Sequence, residues 1–136
     1  MPGTANSIIT PQTIKSASAV CTAAKTTFND STNAVKIVTA GANGSILYGL
    51  KALARATVTA TKLQLYRSPD NGTTMQLINT ATMAPYTMTN TDNQAPSDFG
   101  YTETVPLRLG SSDTLWVATA VALSAGIVFD AQYEDL

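Results

Sequence analysis

Apolar and polar residues alternate along much of this chain with a period of two, which is the pattern of a half-buried β-strand. The clearest case is the stretch 127–133, with Ile127, Phe129, Ala131 and Tyr133 on one face and Asp130 and Gln132 on the other. The stretch 101–109 repeats the alternation. Pro106 interrupts it by removing a backbone donor, which indicates an edge strand or a bulge.

The stretch 45–58 also alternates, although its Leu- and Ala-rich segment 47–56 would suit a helix. The preceding Gly44-Ser45 pair and the β-branched residues that follow favour a strand. The face predicted to be apolar contains Ile46, Tyr48, Leu50, Ala52, Ala54 and Val58.

The strongest local signal is a hairpin formed by two strands, Lys62–Ser68 and Thr74–Asn79. The residues between them include Pro69-Asp70-Asn71-Gly72. Proline presets the backbone at the entry of a turn, and Asn-Gly accepts the positive φ angles that tight hairpins need. Asp70 is therefore interpreted as a turn former rather than as a functional acid.

Weaker strand patterns occur at residues 13–22 and 34–39, and the stretch 115–121 is apolar on both faces, as in a central strand. Residues 84–99 form a long polar loop without periodicity, a type of segment that often makes contacts with partners. The sequence thus predicts an all-β fold, a single β-sandwich with jelly-roll-like topology and about eight strands over residues 13–136. Residues 1–12 are predicted to form an extended N-terminal arm.

Composition narrows the classes of partner. Only 12% of the residues are charged, about half the usual share, and the net charge is −1. No run of Lys or Arg is present, so binding to nucleic acid is not expected. The apolar stretch 115–129 is too short for a membrane-spanning helix, and buried strands explain it better. With no signal peptide at the N-terminus, we expect a soluble protein that is not exported.

The chemistry available to the chain is limited, because it contains no histidine and one cysteine, Cys21. Histidine is the most common general base and metal ligand, and a lone buried cysteine without a base behaves as a small apolar residue. Among the acids, only Glu103 and Asp130 are predicted to lie within strands, and neither belongs to an obviously buried polar cluster, so the sequence does not support a glycosidase pair. The segment 90–93 lacks the acid density of a calcium loop. We therefore expect no enzyme activity, no cofactor and no metal site.

Three segments of the chain carry a resemblance to a known family. They are the hairpin LYRSPDNGTTMQLI (65–78), the segment PLRLGSSDTLWVATAV (106–121) and the closing AGIVFDAQYEDL (125–136). In these features the chain resembles the small jelly-roll decoration proteins, also called cement or auxiliary head proteins, of tailed bacteriophages. The resemblance covers roughly the last two-thirds of the chain, and its motifs are structural.

The resemblance implies a structural virion protein on the outer surface of a phage capsid, where it binds the major capsid protein and stabilises the shell. It also implies self-association as a homodimer or homotrimer. The alternative is a lectin-like module on a virion surface that contacts host glycans. The candidate partner-binding residues are Ile8, Ile9 and Thr10 in the arm, which could add a strand to a neighbour's sheet, and Tyr86 and Met88 in the long loop.

Overall fold

The computed structural model describes residues 13–136 and contains no helix within that range. Its strands are β1 (Thr13–Cys21), β2 (Val35–Thr39), β3 (Ser45–Ala54), β4 (Thr61–Ser68), β5 (Gln76–Met83), β6 (Ser97–Asp98), β7 (Leu107–Leu109), β8 (Thr114–Thr119) and β9 (Ile127–Asp135). They form two antiparallel sheets that pack as a β-sandwich, which confirms the predicted fold class.

The two sheets draw strands from both ends of the described chain. The five-stranded sheet has the order β1-β9-β3-β6, with β7 also paired to β3, and the four-stranded sheet has the order β2-β8-β4-β5. The last strand therefore lies between the first and the third, and neither sheet is complete until the C-terminal strands pair.

The core lies between the sheets, where the inward-facing residues of every long strand meet. On β9 these are Ile127, Phe129, Ala131 and Tyr133, all at most 7% exposed, as the alternation predicted. The ring of Phe99 contacts that of Phe129 in a tilted arrangement with centroids 6.2 Å apart, a favourable geometry for aromatic pairs. Burial of these apolar side chains is the main source of stability.

The strand prediction for 45–58 is confirmed as β3, but the predicted apolar face is only partly correct. The register between β3 and β9 shifts between Leu47 and Gly49, which is a β-bulge at Tyr48. On the N-terminal side of the bulge Leu47 enters the core, while Ile46 and Tyr48 are only half-buried. A bulge inserts one extra residue into the strand. The residues before it therefore point to the opposite face of the sheet from the one that an unbroken alternation would give them.

The predicted strand over 101–109 is wrong except for its last three residues, which form β7. A turn replaces the rest, because the backbone N–H of Thr102 donates to the carbonyl of Val105 and the N–H of Val105 donates to the Thr102 hydroxyl. Val105 is 64% exposed. Pro106, which cannot donate to a ladder, separates this turn from β7.

The predicted hairpin is confirmed as β4 and β5, and its turn follows the expected chemistry. Asn71 and Gly72 have φ angles of 56° and 99°. The Asp70 carboxylate accepts from the Ser68 hydroxyl at 2.8 Å and from the Thr74 backbone N–H at 2.7 Å. These bonds lower the pKa of Asp70 and confirm that it forms the turn.

Gly72→Ala should destabilise the protein by more than the backbone strain of about 1–2 kcal/mol, because an added Cβ would lie 2.9 Å from the ring of Trp116. Gly100→Ala is the matched control, since Gly100 has a similar φ of 92° but no atom near the added Cβ. Chemical denaturation measures both. Equal losses of unfolding free energy would show that the Trp116 contact has no role.

Phe129→Ala should lower the free energy of unfolding by about 3–5 kcal/mol, because it leaves a cavity between the sheets. The control on the same strand is Gln132→Ala, which alters an exposed side chain and should change stability by less than about 0.5 kcal/mol. Similar losses in urea denaturation would contradict the inward position of Phe129.

Candidate functional site

The outer face of the four-stranded sheet is covered by the protein's own chain. The segment 22–34, which connects β1 to β2, lies over it and forms a small second cluster with Tyr66, Met75 and Ala118, together with Ala34 and Trp116. Backbone bonds attach the segment, because the Lys25 N–H donates to the carbonyl of Thr119 at 2.8 Å. The prediction that 115–121 is a central strand with both faces covered is thus confirmed, and the chain itself supplies the cover.

The side chain of Lys25 holds this covering segment together. It is completely buried, and its ammonium donates to the Asp30 carboxylate at 2.7 Å, the Thr32 carbonyl at 2.9 Å and the Thr27 hydroxyl at 3.3 Å. The ammonium also lies 5.3 Å from the centre of the Tyr66 ring. All three of its donors are therefore satisfied, which a buried ammonium requires.

The contacts within this cluster shift the pKa values of two of its residues. The hydrogen bonds from Lys25 and Thr27 lower the pKa of Asp30 from 3.8 to about 2. Burial, with a smaller contribution from the charge of Asp30, raises the pKa of the Tyr66 hydroxyl to about 12. That hydroxyl donates to the carbonyl of Thr27 at 3.3 Å and makes a short hydrogen bond with Gln64.

The outer face of the five-stranded sheet, by contrast, is largely exposed, and the turn at 101–106 borders it at one end. Its side chains lie in rows across the strands, because paired residues of antiparallel strands face the same way. One row is apolar, with Val20 beside Val128 and Val128 beside Leu53. The next row is charged, with Asp130 beside Lys51 and Lys51 beside Asp98. We call this surface the open face.

Two clefts lie on the open face. The larger, of about 330 Å³, is lined by Ile46, Tyr48, Glu103, Pro106, Arg108 and Glu134. The smaller, of about 60 Å³, is lined by Gly49, Lys51, Asp130 and Gln132. The two acids weighed in the sequence, Glu103 and Asp130, thus line different clefts, and Glu103 lies in the turn before β7 rather than in a strand.

The open face is acidic. It carries four carboxylates, Asp98, Glu103, Asp130 and Glu134, against two cations, Lys51 and Arg108. Within residues 13–136, ion pairs within 4.0 Å occur only for Lys15 with Asp135 and Lys25 with Asp30, so these four carboxylates have none there. A partner that presents cations or apolar groups would complement this face.

Of the residues singled out in the sequence, Ile8, Ile9 and Thr10 lie outside the described residues. Tyr86 lies in the long loop, as predicted, and its backbone pairs with Val58 in an isolated bridge. Its hydroxyl donates to the Asp92 carbonyl at 2.9 Å. Met88 is 38% exposed, and its N–H donates to the Thr57 hydroxyl.

The long loop borders a further cleft of about 380 Å³. The lining residues are Thr82, Met83, Ala84, Pro85, Tyr86, Gln94, Ala95, Pro96, Ser97 and Asp98. Because the Tyr86 hydroxyl is bonded within the loop and its ring packs against the main core, the residue holds the loop as well as lining the cleft.

The lone cysteine is buried, as the sequence predicted. Cys21 is 1% exposed, its Sγ lies 3.4 Å from the carbonyl of Val117, and burial raises the pKa of its thiol to about 12. Over residues 13–136 no three His, Cys, Asp or Glu side chains are grouped so that they could hold a metal ion. That part of the chain also lacks any helix long and apolar enough to cross a membrane.

A comparison of the chain with family models, curated proteins and solved structures finds no match.

Sequence reasoning missed the Lys25 cluster and the role of Asp135. The carboxylate of Asp135 pairs with Lys15 at 2.7 Å and accepts from the Ser45 hydroxyl at 2.6 Å, and these contacts lower its pKa. Neither Lys25 nor Asp135 belongs to a recognisable sequence motif. The only available signal was the spacing of Lys25, Thr27 and Asp30 in one short loop.

Acidification should destabilise the wild type partly through Asp30. Its pKa is lower in the folded protein, so the ionised carboxylate contributes stability above pH 3.8, and this contribution is lost as the pH falls toward about 2. Urea denaturation of Asp30→Asn should show a shallower loss of unfolding free energy over that pH range. Asp92→Asn, in the long loop, is the control and should follow the wild type. Parallel curves for all three proteins would contradict the role of Asp30.

Proposed function

We propose that this protein is a structural virion protein that decorates and stabilises a phage capsid by binding the outer surface of the major capsid protein shell. The proposal begins from the resemblance of the hairpin at 65–78 and the segments 106–121 and 125–136 to tailed-phage decoration proteins. It places the protein on the virion after synthesis in the host cytoplasm, as a homodimer or homotrimer.

The observation that carries the proposal is the nested pairing of the strands. β4 pairs with β5, β3 with β6 and β7, β2 with β8, and β1 with β9. The additional pairs β3 with β9 and β4 with β8 join these into two sheets. Such nesting is what one long hairpin gives when it is rolled up, and it supports the jelly-roll topology that the resemblance implies.

The open face is the proposed surface for binding the capsid. The four-stranded sheet is covered by its own chain, so the open face is the larger uncovered sheet surface of the described residues. Apolar side chains on it, such as Leu53 at 38% exposure, would be buried on contact. Its carboxylates, which form no ion pair within residues 13–136, would face cationic groups of the shell. Bridging two capsid subunits would oppose their separation under internal pressure.

The lectin-like alternative rests on the cleft beside Tyr86, where an aromatic ring stands near the polar side chains of Gln94 and Asp98. An aromatic surface next to hydrogen-bonding groups suits a sugar. The Tyr86 hydroxyl is already used inside the loop, which weakens this reading. A glycan array with wild type and Tyr86→Ala separates it from the capsid proposal.

Purified protein mixed with capsids that lack it should appear by cryo-electron microscopy as ordered density on the outer shell. Leu53→Asp should reduce occupancy at least about tenfold, since it places an unpaired carboxylate in the contact. Leu77→Asp is the matched control, because Leu77 is 36% exposed on the other sheet, and it should bind normally. A bare shell with wild type would refute the function. Full occupancy with Leu53→Asp would refute the open face as the contact.

A further inference from the structure

The four free sheet edges of the described chain differ in how well they are protected against pairing with another strand. Exposed edges are normally shortened, bulged, covered or charged, because a row of unpaired backbone groups attracts further strands. β2 has five residues and a register shift between Lys36 and Val38. The opposite edge of the five-stranded sheet consists of β6 and β7, with two and three residues.

The edge at β5 is protected as well. Its register with β4 shifts next to Tyr66. The side chain of Asn79 reaches across to the neighbouring segment, where it donates to the carbonyl of Phe99 at 3.0 Å and to the hydroxyl of Tyr101 at 3.1 Å. Side-chain bonds of this kind occupy the space that an added strand would need.

The edge at β1 has none of these features. It runs for nine residues in unbroken register with β9, without proline or glycine, and within residues 13–136 no strand pairs with its other side. Its single charge, on Lys15, is paired with Asp135 at 2.7 Å and so is not free to repel a strand. Ile14 on this strand is 80% exposed, the highest value among the exposed large apolar side chains.

The residues of β1 complement themselves when the strand is reversed. In an antiparallel pair centred on Ala17, Ile14 lies opposite Val20 and Ser16 lies opposite Ser18, each pair occurring twice. These residues belong to the open face. Lys15 lies opposite Ala19, so the two lysines avoid each other. A β-branched pair and a hydroxyl pair both stabilise neighbouring strands.

The apolar row of the open face supplies a second reason for this register. Val20 stands at the β1 end of the row that continues through Val128 to Leu53. In the pair centred on Ala17, Ile14 of the second copy would extend this row by one residue. Each of the two exposed Ile14 side chains would thereby gain one apolar neighbour, Val20 of the other copy.

We propose that two copies of this chain associate through antiparallel pairing of their β1 strands, centred on Ala17, so that the two five-stranded sheets become continuous. The dimer has two-fold symmetry, because each strand offers the other the same surface. This interface specifies the homodimer that the proposed function includes, and its formation does not depend on capsid binding. It would double the open face and align both halves on the same side.

The test is sedimentation of the full-length protein and of three variants over a wide range of concentrations. Wild type should be a dimer. Ser16→Lys/Ser18→Lys places lysines opposite each other twice and should weaken dimerisation at least about tenfold. Ser16→Glu/Ser18→Lys places opposite charges across the same axis and should restore the dimer. Thr80→Lys/Thr82→Lys adds two lysines at exposed positions of β5 and should leave the dimer intact.

A monomeric wild type would overturn the proposal. So would an oligomer that Ser16→Lys/Ser18→Lys does not weaken, because another segment would then join the copies. Loss of the dimer in both Ser16/Ser18 variants would also contradict the stated register. Circular dichroism of each variant establishes that it is folded. None of these readouts uses capsids, so the outcome is separate from that of the proposed function.

Discussion

The buried ammonium of Lys25 determines which surface of this sandwich is left for other molecules. Removing an ammonium from water is costly unless every donor finds an acceptor. Here the acceptors come from Thr27, Asp30 and Thr32, which lie in the same loop as the lysine. The same loop is attached to the four-stranded sheet by bonds to Thr119 and Gln64, and the ammonium lies over the ring of Tyr66.

The cover on one sheet has a consequence for the other. With the outer face of the four-stranded sheet occupied, its central strand β8 is buried on both sides, whereas β3 and β9 keep one face exposed. A low overall charge does not make that exposed face neutral, since it concentrates four of the nine carboxylates of the chain. A partner that binds there would be selected by apolar contact and by charge together.

Much of the fold follows from local sequence signals. The strand at 127–133 was predicted correctly because one of its faces is polar, and the hairpin because Pro69 and Asn71-Gly72 define its turn chemistry locally. The face of β3 was predicted wrongly at Ile46 and Tyr48, because a bulge is a property of the pairing with β9 and leaves no trace in the periodicity. The predicted strand at 101–109 was wrong over residues 101–106, because Thr102 and Val105 hydrogen-bond to each other and form a turn.

The surfaces were harder to predict than the strands. A single lysine in a polar loop ordinarily lies in water, so the burial of Lys25 depends on contacts with Gln64, Tyr66 and Thr119, far away in sequence. The order of strands within each sheet depends on the same long-range pairing. Tyr86 and Met88 were correctly placed in the loop, but their bonds to Asp92 and Thr57 were not foreseeable from spacing.

The most direct test of this account is acetylation of lysines in the free protein and in the protein bound to capsids, read residue by residue by mass spectrometry. Lys51 lies on the open face, whereas Lys36 and Lys62 are exposed on strands of the other sheet. The account predicts that capsid binding protects Lys51 from acetylation and leaves Lys36 and Lys62 reactive. It also predicts that Lys25 is unreactive in both the free and the bound protein. Protection of Lys36 and Lys62 with Lys51 still labelled would contradict it.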